Sequence, residues 1–159
     1  MFRSLVALAA CALASAPALA DDTFVRLVNV DTGKVLAVKD DSDEAGARAV
    51  LAKPDADNKA QQWKLEKDGT HYKLVNRKSG KVLDVNDDSK DEGATVIVWD
   101  AKDEGVENQR WAWAGEGKER RLKSKSSELV LDIDDEGGII QKKADEKVKK
   151  QLWRVEEVK

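Results

Sequence analysis

The sequence predicts an all-β chain folded as a β-trefoil, with pseudo-threefold symmetry and about four strands per repeat. Gln-x-Trp occurs three times, as Gln61-Gln62-Trp63, Gln109-Arg110-Trp111 and Gln151-Leu152-Trp153, with the tryptophans 48 and 42 residues apart. A motif returning at such a period marks a repeated structural unit. The copies also agree between those endings. Leu27, Leu74 and Leu122 share one position, and Leu36-Ala37-Val38, Leu83-Asp84-Val85 and Leu131-Asp132-Ile133 share another. Within these short runs apolar residues alternate with polar ones, and Gly, Asn, Asp and Ser fill the gaps, which is the pattern of short half-buried strands.

The first twenty residues stand apart from this pattern. Met1-Phe2-Arg3 is a short basic start, Leu5 to Leu13 is apolar, and Ala18-Leu19-Ala20 has the small-x-small form read by signal peptidase. Residues 1–20 are therefore expected to be a signal peptide cleaved at Ala20, giving a secreted, periplasmic or extracellular product. A competing site, Leu8-Ala9-Ala10-Cys11, looks like a lipoprotein box and would anchor the chain at Cys11. Cleavage at Ala20 removes Cys11, the single cysteine, so no disulfide is expected despite the oxidising destination. Residues 21–159 then form one domain, with repeats at about 24–68, 69–117 and 118–159. A chain of that size buries roughly two-thirds of its unfolded surface and folds without staples.

Charged residues make up 37% of the chain, yet the formal net charge is only −3. The two signs are interleaved, as in Lys118-Glu119-Arg120-Arg121, which argues against nucleic acid as a partner because a binding groove needs one sign. Asp103–Asn108 and Ala144–Lys150 look faintly helical but are too short to stand alone. A repeat of this length also fits a propeller blade, but three blades are fewer than propellers use. Three units closing on a threefold axis instead bury what none covers alone. Trp63, Trp111, Trp153, Leu27, Leu74 and Leu122 are the predicted structural core. Gln and Trp of each motif share a strand face, so each Gln amide must find hydrogen bonds near the core.

Two residues of the middle copy stand out. The neighbours of Asp84 in Leu83-Asp84-Val85 point to the core, so Asp84 points outward. Trp99 alone among five tryptophans lies neither in a Gln-x-Trp nor two residues past one. A carboxylate accepts from two hydroxyls at once, with charge-assisted bonds of about 1.5–3 kcal/mol each. A flat indole covers the apolar face of a sugar ring. Taken singly, such an Asp is more often a solvated side chain and such a Trp more often core.

The threefold Gln-x-Trp, Leu83-Asp84-Val85, Val98-Trp99-Asp100 and Asn108-Gln109-Arg110-Trp111 together resemble the ricin-B-type β-trefoil lectins, from about Phe24 to Val155. The resemblance implies a carbohydrate-binding module. Asp84 would accept from vicinal hydroxyls, Trp99 would form the stacking floor, Asn108 would add a polar contact, and Gln109 would hold the Asp84 carboxylate. Lys102 matches a position that touches the ligand in some members. Members often tie each repeat with a disulfide, and the matching positions here are Val82 and Ala101.

The other two copies act as internal controls. The first has Ala37, Ala52 and Ala60 in place of the Asp, Trp and Asn, and is expected to be inert. The third keeps Asp132, a poorer second candidate, with Gln141 near the platform position and Lys150 for the Asn.

Catalytic and metal chemistry find little support. His71 is the single histidine, so no zinc set or Cys/His pair can be built. A calcium loop read from Asp84 has Ser89 where the turn Gly belongs and Thr95 where the final Glu belongs, and the acidic stretches Asp40–Glu44 and Asn86–Glu92 read as hairpin tips. No carboxylate pair is singled out for glycoside hydrolysis. The expectation is a secreted sugar-binding module working mainly through its middle repeat, with no catalysis, cofactor, metal or membrane span, and an undetermined oligomeric state. The alternative is a trefoil with an idle pocket that binds a protein.

Overall fold

A computed structural model describes residues 22–159; the expected leader, its Ala20 cleavage site and Cys11 lie outside the described residues. The first repeat holds β1 (Phe24–Asn29), β2 (Val35–Val38), β3 (Ala49–Ala52) and β4 (Trp63–Asp68). The second holds β5 (His71–Asn76), β6 (Val82–Val85), β7 (Val96–Trp99) and β8 (Trp111–Ala114). The third holds β9 (Arg121–Ser124), β10 (Val130–Ile133), β11 (Ile139–Lys142) and β12 (Trp153–Glu157).

The first and last strands of each repeat build a ring. β1 pairs with β4, β4 with β5, β5 with β8, and β8 with β9, all antiparallel. The β1–β12 ladder and an Arg120–Trp153 bridge close it. The inner strands form the hairpins β2–β3, β6–β7 and β10–β11, which cap one end of the ring. Single bridges join the hairpins to each other: Arg48 to Ile97, Val50 to Gly138, and Thr95 to Ile140. This is the β-trefoil.

One apolar cluster fills the ring. Trp63, Trp111, Trp153, Leu27, Leu74 and Leu122 are all fully buried in it, together with Leu36, Leu83 and Leu131 from the hairpins. The indole nitrogens of Trp63 and Trp111 donate to the carbonyls of Leu36 and Leu83 at 3.0 and 3.1 Å, which bolts each hairpin to the ring. Trp153 Nε1 is buried without such an acceptor, so the third hairpin is held by packing alone at that point.

The repeat ends are single 3-10 turns rather than longer helices, at Lys59–Gln61, Glu107–Gln109 and Lys149–Gln151. The hairpin tips of the first two repeats contain further 3-10 turns, at Lys39–Asp41 and Asn86–Asp88. Between β1 and β2, and between β5 and β6, buried Asn29 and Asn76 accept from backbone N–H groups of the turn, and Ser124 does so in the third repeat. These three are buried polar residues whose value lies in satisfying turn backbone.

Candidate functional site

The first Gln of each motif clips a loop to the core. Its Nε2 donates to a carbonyl just past the third strand: Lys53 from Gln61, Asp100 from Gln109, and Lys143 from Gln151, each at 2.9 Å. Its Oε1 accepts from a backbone N–H two residues on, at Asp55, Lys102 and Asp145. The amide is thus paired where it is buried, which avoids a cost of about 1–3 kcal/mol per repeat. The clip also fixes the path of the loop that borders each candidate pocket.

In the middle repeat the clip does more. Asp84, on β6, points away from the ring core, yet it is not a freely solvated side chain: only 3% of it is exposed. Asn108 Nδ2 donates to its Oδ1 at 2.9 Å and Gln109 Nε2 to its Oδ2 at 2.8 Å. Asn108 Nδ2 also reaches the Val85 carbonyl at 3.0 Å. Lys102 Nζ donates to Asn108 Oδ1 at 3.2 Å and lies 3.9 Å from Asp84 Oδ2. Burial pushes the Asp84 carboxyl above the usual carboxylate range; the nearby Asp88 charge adds to this, while Gln109, Lys102 and Asn108 pull it down.

Trp99 ends β7, and at 42% exposure it is the large hydrophobic side chain that the described residues leave in water. Its position follows from register, since Val82 pairs with Trp99 across the hairpin and Asp84 with Ile97. The first repeat supports it from behind. Gly46 N–H donates to the Val98 carbonyl at 2.8 Å, and a Cβ on Gly46 would stand 3.4 Å from the Trp99 ring. Gly46 has φ of +89°, so the close approach and the backbone conformation both favour glycine. Asp84, Asn108, Gln109 and Lys102 are therefore joined by direct contacts, and Trp99 stands exposed on the strand paired with Asp84's.

The other repeats differ at each point. In the first, Ala37 and Ala60 are buried in the positions of Asp84 and Asn108, and Ala52 takes that of Trp99. In the third, Asp132 is 5% exposed, and its Oδ2 accepts from Gln151 Nε2 at 3.0 Å. Its Oδ1 accepts from the next backbone N–H, that of Ile133, at 2.7 Å. The sequence places Gln141 near the platform position, but strand register gives that position to its neighbour. Val130 pairs with Lys142 as Val82 pairs with Trp99, so exposed Lys142 holds that place. The loop from platform to Gln is one residue longer in the middle repeat, so counting back from Gln151 lands one residue short. Gln141 itself is buried and staples repeats together: its Nε2 donates to the Ser89 and Asp91 carbonyls, and its Oε1 accepts from Ser127 Oγ.

Val82 and Ala101, the positions of the expected family bridge, are a buried strand residue and an exposed loop residue. His71 lies beside Thr70 Oγ1, half-buried at the start of β5. Among the described residues no group of three or more His, Cys, Asp or Glu side chains is placed to hold a metal ion, and no helix is long and apolar enough to cross a membrane.

Residues 17–99 match a family model described as ricin-type β-trefoil lectin domain-like, and residues 70–159 match one described as ricin-type β-trefoil lectin domain. No curated protein matches the sequence. Among solved structures, the chain is similar to ThreeFoil, a designed threefold-symmetric protein, at 31% identity and a TM-score of 0.77, over 83% of this chain and 96% of that one. It is similar to an exo-β-1,3-galactanase from Clostridium thermocellum at 34% identity and a TM-score of 0.76, over 85% of this chain but 30% of that one. A Polyporus squamosus lectin, solved with the epitope Neu5Acα2-6Galβ1-4GlcNAc, shares the fold at 15% identity and a TM-score of 0.73, over 87% of this chain and 50% of that one.

Proposed function

The chain belongs to the ricin-type β-trefoil lectin family, a family of carbohydrate-binding modules, and from that premise we propose that it binds sugar through its middle repeat and catalyses nothing. The observation that carries this reading is the pairing of a buried carboxylate, held by the two side-chain amides of Asn108 and Gln109, with a half-exposed indole on the adjoining strand. When ionised, a carboxylate in such a shielded corner accepts from sugar hydroxyls with charge-assisted strength. Trp99 offers the flat apolar face that a pyranose ring needs. Asp84 and Trp99 are the primary contacts in this proposal, Asn108 and Gln109 hold the carboxylate, and Lys102 borders the pocket. Asp132 is at most a second, poorer site.

The proposed partner is a carbohydrate rather than a nucleic acid. The relative named as an exo-β-1,3-galactanase makes galactose-bearing saccharides the first probes. With so few contacts set against lost translational freedom, a single sugar should bind near the millimolar level, about −4 kcal/mol, and useful avidity would come from repeated glycans. We further propose that the chain is exported and cleaved after Ala20; the intact mass of the mature protein tests this, and a lipid on Cys11 would refute it.

The functional test is a glycan array followed by titration of wild type, Asp84→Ala, Trp99→Ala and Asp132→Ala with a selected galactoside. Asp84→Ala and Trp99→Ala should abolish binding without lowering the melting temperature by more than a few degrees, while Asp132→Ala retains most of it. Binding that survives both middle-repeat changes would place the site elsewhere. A folded protein with an empty array would favour the protein-binding alternative.

A further inference from the structure

The Gln clip reveals a correspondence that the sequence hides. Because Gln61, Gln109 and Gln151 accept from the backbone of Asp55, Lys102 and Asp145, these three occupy one structural position. In the outer repeats it is an aspartate, and its carboxylate turns back on its own loop. Asp55 Oδ1 accepts from the N–H of Asp57 at 3.0 Å, and Asp145 Oδ1 from that of Lys147 at 2.9 Å. Open depressions remain beside them, of about 670 Å³ in the first repeat and about 930 Å³ over Asp132 in the third. In the middle repeat the same position is a lysine, and it turns inward onto Asn108 and Asp84.

We propose that Lys102 is a latch on the site: its ammonium occupies the place of a sugar hydroxyl against Asn108 and Asp84, and a neutral sugar binds by displacing it. The proposal rests on the middle repeat being the sugar site. A hydroxyl cannot reach a carboxylate of 3% exposure while the ammonium lies across it. The latch is nonetheless a light one. The Lys102 side chain is 36% exposed, so it returns to water when released, and its 3.9 Å contact with the buried carboxylate is too long for a hydrogen bond. Its backbone N–H, not its side chain, serves the Gln109 clip, so the loop does not depend on the ammonium.

Lys102→Ala and Lys102→Met should therefore melt with wild type and bind galactose about two- to fivefold tighter, the factor that a weak ion pair converts to. A second readout separates a latch from a structural role. Lys102 and Asp88 are the charged groups acting on the Asp84 carboxyl, and the Lys102 charge lowers its pKa against burial. Binding needs Asp84 ionised and is lost as pH falls through its raised pKa. Without Lys102 that pKa rises further, so galactose binding should fail at a higher pH in both variants than in wild type.

Tighter binding with the upward shift supports the latch, as does galactose binding by the variants alone. Weaker or unchanged binding, with Asp84→Ala still abolishing it, overturns the latch and leaves the site standing. No galactose binding by wild type or either variant overturns both.

Discussion

The middle and third repeats share a backbone, a buried Asp on the second strand and a Gln that donates to it, yet the surroundings of the two carboxylates are chemically different. Around Asp84 stand an indole, a carboxamide and an inward lysine. Around Asp132 the matching places hold Lys142, Lys150 and an Asp145 that faces its own loop. The carboxylates differ too, since Asp84 takes both bonds from side chains whereas Asp132 takes one from its neighbour's backbone. The comparison teaches that the Asp–Gln contact belongs to the scaffold. Both repeats keep it, so it cannot by itself mark a binding site. Function, in this account, enters at the three positions where the repeats part.

The sharpest way to break that division is to compare tryptophans. Trp63 belongs to the core, fully buried and hydrogen-bonded to Leu36, whereas Trp99 is exposed. Trp63→Ala should destabilise by about 3–5 kcal/mol, as large aromatic truncations in cores do. Trp99→Ala should cost less, about 1–2 kcal/mol, since nearly half of the side chain is already in water. Denaturant melts of both measure this, and equal losses would make Trp99 a core residue and remove the platform.

A smaller effect sharpens the comparison from the other side. If the indole and the carboxamide are what turn the shared scaffold into a sugar site, Lys142→Trp with Lys150→Asn should install a second site over Asp132. Galactose titration followed by calorimetry should then give a stoichiometry near two rather than one. A count that stays at one would mean the Asp132 carboxylate, tied to the Ile133 N–H, is not free to accept from a hydroxyl.

Much of the fold is legible in the sequence because its largest side chains repeat. Trp63, Trp111 and Trp153 fill one core, and a residue of that volume has few other places to go. Trp99 stands out in the middle repeat for a related reason: it is an indole at a strand position that alternation turns toward water. What sequence reasoning missed depends on register. Lys142 rather than Gln141 takes the platform position because the loop before Gln109 is one residue longer than its counterpart, a difference that shifts any count from the motif. The matching of Lys102 with Asp55 and Asp145 rests on backbone hydrogen bonds to Gln side chains, and no pattern of residue types encodes it. The roles of Asn29, Asn76 and Ser124 could have been found from the sequence. Each stands two residues past its matched Leu, a repeat of polar residues inside an apolar run.

Shielding of Asp84 also lies beyond a strand pattern. Alternation puts its side chain on the face away from the ring, and that face would ordinarily be wet. Asn108 and Gln109 arrive there from 24 and 25 residues downstream, carried by the 3-10 turn of Glu107–Gln109. Only the closed repeat brings them over the carboxylate, and burial then raises its pKa.

The indole N–H resonances test the central claim most directly. The chain has five tryptophans, of which Trp63, Trp111 and Trp153 are fully buried, Trp113 is half-buried and Trp99 is exposed. In a proton–nitrogen correlation spectrum recorded during galactoside titration, the Trp99 indole, assigned by its loss in Trp99→Phe, should move in a saturable way. The other four should stay in place, and the backbone amides that shift with it should be those of the pocket around Asp84 and Asn108. A saturable shift centred on Trp113, or on the amides around Asp132 with Trp99 unmoved, would contradict the assignment of sugar binding to the middle repeat.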